Sequence, residues 1–272
     1  MCEFCHKHGE GKKWYLQAKN YSEELLHDIK RRKFIEHFFA KPEEMAEREL
    51  KLQRLDKAPA PIRNSLRNRI TRNQKDIHFG QVVPIEDVEH IFNITTSIVR
   101  LECVCRKTIV GPNKRFCYGV SMMPDGGGMA EIIEKVDPSY LRGPDNRELE
   151  VLSREETLKL FKDYEREGLC HTVWTFNAPF IGGLCNCNLK ECYAMKTTVL
   201  HNAPVMFKAE YIAKTDMELC TGCKLCMKIC QFNAIEYDIT NSKILINEEN
   251  CYGCGICRSV CSKGAISLVL RK

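Results

Sequence analysis

The fold of this chain is decided by two cysteine runs, Cys220-Thr-Gly-Cys223-Lys-Leu-Cys226-Met-Lys-Ile-Cys230 and Cys251-Tyr-Gly-Cys254-Gly-Ile-Cys257-Arg-Ser-Val-Cys261. Both runs have the spacing C-x2-C-x2-C-x3-C, and the second begins 31 residues after the first. The last cysteine of each run is followed, after three residues, by Ala-Ile. A repeat of this kind at a fixed period indicates one supersecondary unit used twice.

The spacing within each run suits an iron–sulfur cubane. Each of the four iron corners of a [4Fe–4S] cluster takes one soft thiolate ligand. Three cysteines at x2 intervals allow one short loop to reach three corners, so the fourth ligand must come from elsewhere. Zinc favours paired C-x2-C hooks without a third cysteine at x2, and a disulfide framework needs an oxidising compartment. The two runs therefore predict two [4Fe–4S] clusters.

This stretch, roughly residues 212–269, resembles the bacterial two-cluster ferredoxins. In that family the last cysteine of each run ligates the other cluster. The resemblance implies that one cluster is held by Cys220, Cys223, Cys226 and Cys261, and the other by Cys251, Cys254, Cys257 and Cys230. The chain departs from the family after the fourth cysteine of each run, where Gln231 and Ser262 replace the usual proline, a residue that would fix φ and end the short helix.

The predicted fold class is α+β, with a C-terminal dicluster ferredoxin built as a pseudo-twofold βαβ-type repeat. A mixed, helix-rich domain that contains further cysteines is expected to precede it. We expect an N-terminal helical and basic segment over residues 1–80, a middle cysteine-containing domain over 81–204, and the ferredoxin domain over 205–272.

Composition places limits on where such a chain works. The chain has 272 residues, 17 cysteines and a formal net charge of +5. Eight cysteines lie in the two runs, which leaves nine for other roles. The start of the sequence does not look like a signal peptide, and its apolar runs are too short to be transmembrane segments. Abundant thiols without an export signal predict a cytoplasmic, metal-binding protein.

The N-terminus carries a further pair of cysteines, Cys2 and Cys5, with His6 directly after them. This matches the c-type haem attachment pattern, but haem attachment occurs outside the cytoplasm. A C-x2-C hook can instead give ligands to zinc or iron, completed by distant cysteines. The alternative is a pair of free thiols at a flexible end. Both alternatives stay open at this point.

A basic stretch follows over residues 57–75, where Lys57, Arg63, Arg67, Arg69, Arg72 and Lys75 occur without an acidic residue. It lacks interleaved aromatic residues and any recognised nucleic-acid motif, so nucleic-acid binding is not expected. A solvated linker and short helix face is the interpretation we favour. Docking to an acidic redox partner is the second interpretation.

The middle segment contains two C-x-C centres. Cys103, Cys105 and Cys117 form one group, and Cys185, Cys187 and Cys192 form the other. The arrangement is loosely similar to uncharacterised ferredoxin-associated proteins with C-x-C-R and C-N-C stretches. We expect at least one additional metal centre here, with further Fe–S clusters as the first interpretation and zinc as the alternative. Six thiols exceed the needs of one ordinary cubane. Cys170 and His171 are weaker candidates, because a buried cysteine behaves by default as a small hydrophobe.

Local patterns predict several elements. Asn20-Tyr-Ser-Glu23 and Ser153-Arg-Glu-Glu156 fit the capping box, and predict helices running to about Ala40 and Gly168. Pro42 suits the first turn of another helix that reaches residue 55. Residues 205–214 alternate as a strand, expected to pair with residues 265–270. Residues 235–237 and 243–246 are expected to form a hairpin.

These features predict an iron–sulfur electron-transfer protein, and favour a component of an oxidoreductase over a stand-alone enzyme. It is expected to be a subunit or partner of a larger redox enzyme, such as a flavoprotein or metalloenzyme subunit. Electrons would pass through the two C-terminal clusters and an additional centre in the middle domain. One alternative is a redox enzyme whose middle-domain centre does the chemistry. A further alternative is a redox-responsive nucleic-acid-binding regulator. No catalytic residue and no oligomeric state is predicted.

Overall fold

The computed structural model describes residues 2–142 and 148–271. Its helices are α1 Glu3–Gly9, α2 Ile29–Ala40, α3 Glu43–Leu55, α4 Ala60–Ile77, α5 Ile85–Ile94, α6 Val104–Ile109, α7 Gly127–Val136, α8 Arg154–Arg166, α9 Tyr193–Val199, α10 Leu225–Ile229 and α11 Ile256–Ser259. Its strands are β1 Gly80–Val82, β2 Ser97–Leu101, β3 Cys117–Ser121, β4 Cys170–Thr175, β5 Ile181–Cys187, β6 Met206–Phe207, β7 Tyr211–Thr215, β8 Ile235–Asp238, β9 Lys243–Ile246 and β10 Ile266–Leu270. This is the mixed α+β fold that the sequence predicts.

A six-stranded sheet forms the centre of the fold, with the order β2-β3-β5-β4-β1-β6. Its neighbouring strands are antiparallel except for β1 and β6, which are parallel. The register places Cys117 directly opposite Cys185, and Cys170 opposite Cys187. Four cysteines that are far apart in sequence therefore lie on three adjacent strands.

The C-terminal part has the predicted pseudo-twofold repeat, since β7-α10-β8 is followed by β9-α11-β10. The first and last strands of the repeat pair along Tyr211–Thr215 and Ile266–Leu270, and β8 pairs with β9 as the predicted hairpin. The single strand expected over residues 205–214 was wrong. It is two strands, because β6 pairs with β1 in the large sheet whereas β7 pairs with β10.

The helix starts agree with the sequence in part. Ser153 and Glu156 form the predicted capping box of α8, and α3 begins after Pro42. The capping box predicted at residues 20–23 was wrong. Short 3₁₀ turns occupy that region, and α2 begins only after Asp28, whose carboxylate accepts hydrogen bonds from the N–H groups of Lys30 and Arg31. The side chain of an N-cap residue fixes the start of a helix in this way.

Apolar side chains bind the parts of the fold together. Trp14 and Phe4 in the N-terminal segment pack against Phe79, whose ring centroid is 4.0 Å from that of Phe4. A second core joins buried residues of the large sheet, such as Val82 and Trp174, to the cysteine loops of the ferredoxin part. In the described ranges no helix combines the length and the apolar character needed to cross a membrane.

Candidate metal centres

The two C-terminal cysteine loops have the same left-handed backbone conformation at one glycine each. Gly222 has φ +67° and Gly253 has φ +70°. A Cβ atom at Gly222 would lie 2.1 Å from the carbonyl oxygen of Ser242, and one at Gly253 would lie 2.1 Å from that of Tyr211. Glycine is required at both positions, because a side chain would be strained by the positive φ and would collide with neighbouring backbone. Each loop therefore packs closely against that backbone at the third residue of its run.

The last thiol of each run lies close to the other run. Burial raises the pKa of Cys226 to about 11, and the nearby charge of Cys261 raises it as well. Burial likewise raises the pKa of Cys230, and Cys254 adds to that shift. These charge interactions link Cys261 to the first run and Cys230 to the second. The crossed ligand sets stay a prediction; soft thiolates from two loops suit [4Fe–4S] clusters.

Gln231, which stands where the related ferredoxins have proline, anchors the ferredoxin part to the middle segment. Its side-chain oxygen accepts a hydrogen bond from the N–H of Leu189 at 2.9 Å. Its side-chain nitrogen donates to the carbonyl oxygen of Gly168, also at 2.9 Å. Proline has no side-chain amide and could not form these two hydrogen bonds. Glutamine at position 231 therefore fixes the end of the first cysteine run to the middle segment.

The structure brings the two middle groups of cysteines together. Cys117 on β3 and Cys185 on β5 are cross-strand neighbours, and their Sγ atoms are 3.2 Å apart. Cys187 lies on the same face of β5 because side chains alternate along a strand. Each of six thiols shifts the pKa of the next, in the order Cys103, Cys117, Cys185, Cys187, Cys192 and Cys105, and we call these residues the six-thiol group.

Two thiols of the six-thiol group, Cys103 and Cys192, differ in the direction of their pKa shifts. Burial raises the pKa of Cys103 well above its ordinary value. The pKa of Cys192 is lowered well below it, first by the hydrogen bond from Cys105 and then by that from Cys187. Cys192 also precedes the first turn of α9, where the N–H groups of Ala194 and Met195 lower its pKa further. Such N–H groups favour an anionic sulfur.

A buried arginine accompanies the six-thiol group. Arg106 Nη1 is 3.5 Å from Cys103 Sγ and donates to the carbonyl oxygen of Asn186 at 3.1 Å. Its Nε donates to Glu191 at 2.7 Å. These contacts give a role to the arginine of the C-x-C-R stretch. Its positive charge offsets the negative charge that thiolate ligands bring into a buried site.

The six-thiol group also lines a cavity of about 800 Å³. Helices α2, α3 and α4 supply much of the remaining wall, through apolar side chains such as Phe38, Met45 and Ile70. Cys105 Sγ is 3.9 Å from Met45 Sδ, so the thiols and the apolar wall meet directly. The volume falls within the range of small-molecule sites in proteins.

Cys170 connects the six-thiol group to the ferredoxin part. It is fully buried on β4, opposite Cys187. Burial raises its pKa, and so does its interaction with the side chain of Cys254. The same interaction is the main cause that lowers the pKa of Cys254. Sequence reasoning treated Cys170 as a weak candidate, because a single cysteine in an apolar strand has no spacing signal. His171, the other weak candidate, points to the opposite face of β4 and is hydrogen-bonded to Asn186 at 2.6 Å.

The N-terminal cysteines meet a carboxylate that sequence reasoning missed. Cys2 and Cys5 have their Sγ atoms 3.4 Å apart, and Cys5 Sγ is 3.2 Å from Glu210 Oε1. The ligand atoms of the three residues lie within 4.8 Å of one another. We call these residues the Cys2–Cys5–Glu210 cluster. Its third member lies just before β7, in a stretch whose alternation suggested only a strand.

The basic stretch of residues 57–75 forms most of α4, on which no described residue is buried. Part of its charge is neutralised within the chain. Arg67 forms an ion pair with Asp56 at 2.7 Å, and Lys75 pairs with Glu3. The other interactions proposed for this stretch, with nucleic acid or an acidic partner, stay hypotheses.

Comparison with known families assigns the C-terminal part of the chain. The repeat and its converging cysteines define an iron–sulfur protein. Residues 219–265 match the family of 4Fe-4S dicluster domains. This part is therefore a dicluster domain with two [4Fe–4S] clusters, and such a domain implies electron transfer. None of the curated proteins matches the chain, and the match leaves the other residues unassigned.

Proposed function

We propose that this chain is an electron-transfer subunit or partner of a larger redox enzyme, with an additional iron–sulfur centre in its middle segment. In this proposal residues 1–80 are an N-terminal helical segment, residues 81–204 hold the additional centre, and residues 205–272 are the ferredoxin domain. The six-thiol group supplies the ligands of the additional centre. A flavoprotein or metalloenzyme subunit would be the redox partner.

The position of Cys170 is the observation that carries this proposal. Its strand partner Cys187 belongs to the six-thiol group, while its own side chain interacts with that of Cys254, a predicted ligand of the second cluster. A single side chain therefore separates two sets of candidate ligands. Electron transfer becomes slower as the separation between centres increases, so this placement favours a continuous relay.

The donor set of the six-thiol group favours iron and sulfide over zinc. Structural zinc takes four ligands in a closed site, whereas the six thiols line a cavity of about 800 Å³, which has room for an iron–sulfur cluster. A [4Fe–4S] cluster, when bound, takes up and gives back an electron. The chain's own residues tune that exchange: Arg106 places positive charge beside Cys103, and backbone N–H groups stabilise an anionic Cys192. Hydrogen bonds and charges of this kind set the reduction potential of a cluster.

Metal analysis tests the additional centre. Protein purified without oxygen should contain about twelve or more irons per chain with matching sulfide, since the two ferredoxin clusters account for about eight. Replacing both Cys185 and Cys187 by serine should reduce iron to about eight. The matched control, Cys170→Ala, should keep the full amount. About eight irons in the unaltered protein would overturn the additional centre.

The relay is tested by reduction potentials. In this proposal the S–H of Cys170 is directed at the sulfur of Cys254 when the cluster is bound, and so stabilises the more negative, reduced state of that site. Cys170→Ala should therefore shift the potential of one C-terminal cluster to a more negative value and leave the other unchanged. Unchanged potentials for both clusters in a protein with full iron content would contradict this part of the proposal.

The cavity of about 800 Å³ favours a second candidate function, that of a redox enzyme with the additional centre as its reaction site. An enzyme would need room for a substrate beside the centre, and the apolar wall adjoins Cys105 directly. Changes in the electron paramagnetic resonance spectrum of the additional centre on adding small apolar oxidants would support this function. A spectrum and a reoxidation rate that no such compound alters would favour simple electron transfer.

A further inference from the structure

We propose that the Cys2–Cys5–Glu210 cluster is a mononuclear zinc site that is separate from the electron relay. Zinc binds cysteine sulfur and carboxylate oxygen, commonly with four ligands in a tetrahedron. The two thiols come from the N-terminal segment, and the carboxylate comes from the residue before β7. The site thus spans 208 residues of sequence between Cys2 and Glu210.

The distances suit zinc better than a disulfide. With Zn–S bonds of about 2.3 Å, tetrahedral geometry separates two ligand sulfurs by about 3.8 Å, and with a Zn–O bond of about 2.1 Å it separates sulfur from oxygen by about 3.6 Å. The observed separations are 3.4 Å between Cys2 Sγ and Cys5 Sγ, and 3.2 Å between Cys5 Sγ and Glu210 Oε1. A disulfide needs about 2.05 Å between its sulfurs. A shift of a few tenths of an ångström per ligand would accommodate the metal.

The ligands are held in place by their surroundings. Cys5 is fully buried, and only 5% of Glu210 is exposed. Gln81 is also fully buried; its Nε2 donates to the carbonyl oxygen of Lys208 at 3.0 Å and to Glu210 Oε1 at 3.4 Å. Trp14 Nε1 in turn donates to Gln81 Oε1. Support of this kind is typical of metal sites, where neighbours orient the ligands.

The fourth coordination position faces an opening in the fold. Cys2 and Glu210 line a cavity of about 370 Å³, together with Lys208 and Arg271. A water molecule entering from this cavity would complete the tetrahedron. Two thiolates and a carboxylate carry one more negative charge than zinc neutralises, and the two basic side chains in the cavity wall offset that excess.

The zinc would fasten the N-terminal segment to the ferredoxin domain. Backbone hydrogen bonds join the N–H of Ala209 to the carbonyl oxygen of Tyr252, and the N–H of Arg271 to that of Glu210. Glu210 is therefore fixed to the Cys251 loop and to the end of β10. A metal that binds only the folded arrangement contributes its binding free energy to folding.

Zinc analysis of variants tests the site. Unaltered protein should contain about one zinc per chain, and an X-ray absorption spectrum at the zinc edge should show two sulfur ligands at about 2.3 Å. Cys5→Ser and Glu210→Ala should each lose the zinc. The matched control Glu249→Ala, at an exposed acid whose backbone carbonyl oxygen accepts a hydrogen bond from Lys208, should keep it.

Iron content separates this site from the proposed relay. Both zinc-deficient variants should keep the iron and sulfide of the unaltered protein, and replacing Cys185 and Cys187 should remove iron but leave the zinc. Cobalt added to zinc-free protein should give sulfur-to-cobalt charge-transfer absorption that Cys5→Ser lacks. Absence of both zinc and cobalt binding, zinc that survives in both variants, or iron at this position would overturn the proposal.

Discussion

The tight contact at Gly253 allows a quantitative prediction about the second cysteine loop. In Gly253→Ala the new methyl group would begin 2.1 Å from the carbonyl oxygen of Tyr211, whereas such contacts do not fall below 3.0 Å, so the loop must move by about 0.9 Å. That carbonyl oxygen also accepts a hydrogen bond from Arg271 at 3.0 Å. The positive φ adds about 1–2 kcal/mol of strain for alanine. We expect a total destabilisation of about 3 kcal/mol or more, in the range of strained special positions.

Gly264→Ala is the matched control, because Gly264 has φ +62° and no atom within 4 Å of its added Cβ. It should cost only the conformational strain, about 1 kcal/mol. The assay is the loss of visible cluster absorption in increasing guanidinium chloride without oxygen, compared for the two variants and the unaltered protein. Equal midpoints for Gly253→Ala and Gly264→Ala would show that the close contact with Tyr211 contributes nothing, and would refute the reasoning.

Three further predictions concern the rest of the fold. In Arg106→Gln, iron analysis should show about eight irons per chain, because the dicluster domain keeps its two clusters and the additional centre is lost. Retention of all iron would contradict the role given to this guanidinium. Ser153→Ala should lower the free energy of unfolding by about 1 kcal/mol in denaturant titrations, because it removes the cap of α8. Burial lowers the pKa of His78 to about 4, below the value of about 6.5 in an unfolded chain, so stability should fall as the pH drops through this window. By pH 5 we expect the free energy of unfolding to fall by an amount on the order of 1 kcal/mol, a value reduced because the ring lines the large cavity. The same pH titration of His78→Gln should lack this fall.

The sequence predicted those parts of the structure that depend on local patterns. The ferredoxin repeat was readable because cysteine spacing is set by the cluster it surrounds, and the capping box at Ser153 because its hydrogen bonds join residues three apart. The capping box predicted at Asn20 was wrong because a local pattern does not show whether a neighbouring residue caps the helix better. Asp28 offers a better-placed cap for α2, and the residues before it form 3₁₀ turns.

The candidate sites were predictable only in their cysteines. The merging of two cysteine groups depends on the register of β3 against β5, which joins Cys117 to Cys185 across 68 residues. No local pattern specifies that register. Glu210 could not be predicted as a ligand for a related reason. An acid beside an alternating strand is ordinarily exposed, and the residues next to it in sequence give no sign of a contact with Cys5.

The pairing of β7 with β10 determines the order in which the protein can be completed on the ribosome. Residues 211–215 are synthesised well before residues 266–270, so β7 waits with an open edge while both cysteine runs are translated. All members of the six-thiol group, by contrast, have been made once Cys192 emerges. Nascent chains generally fold from their N-terminal side. The large sheet can therefore assemble before β10 is available to close the ferredoxin repeat.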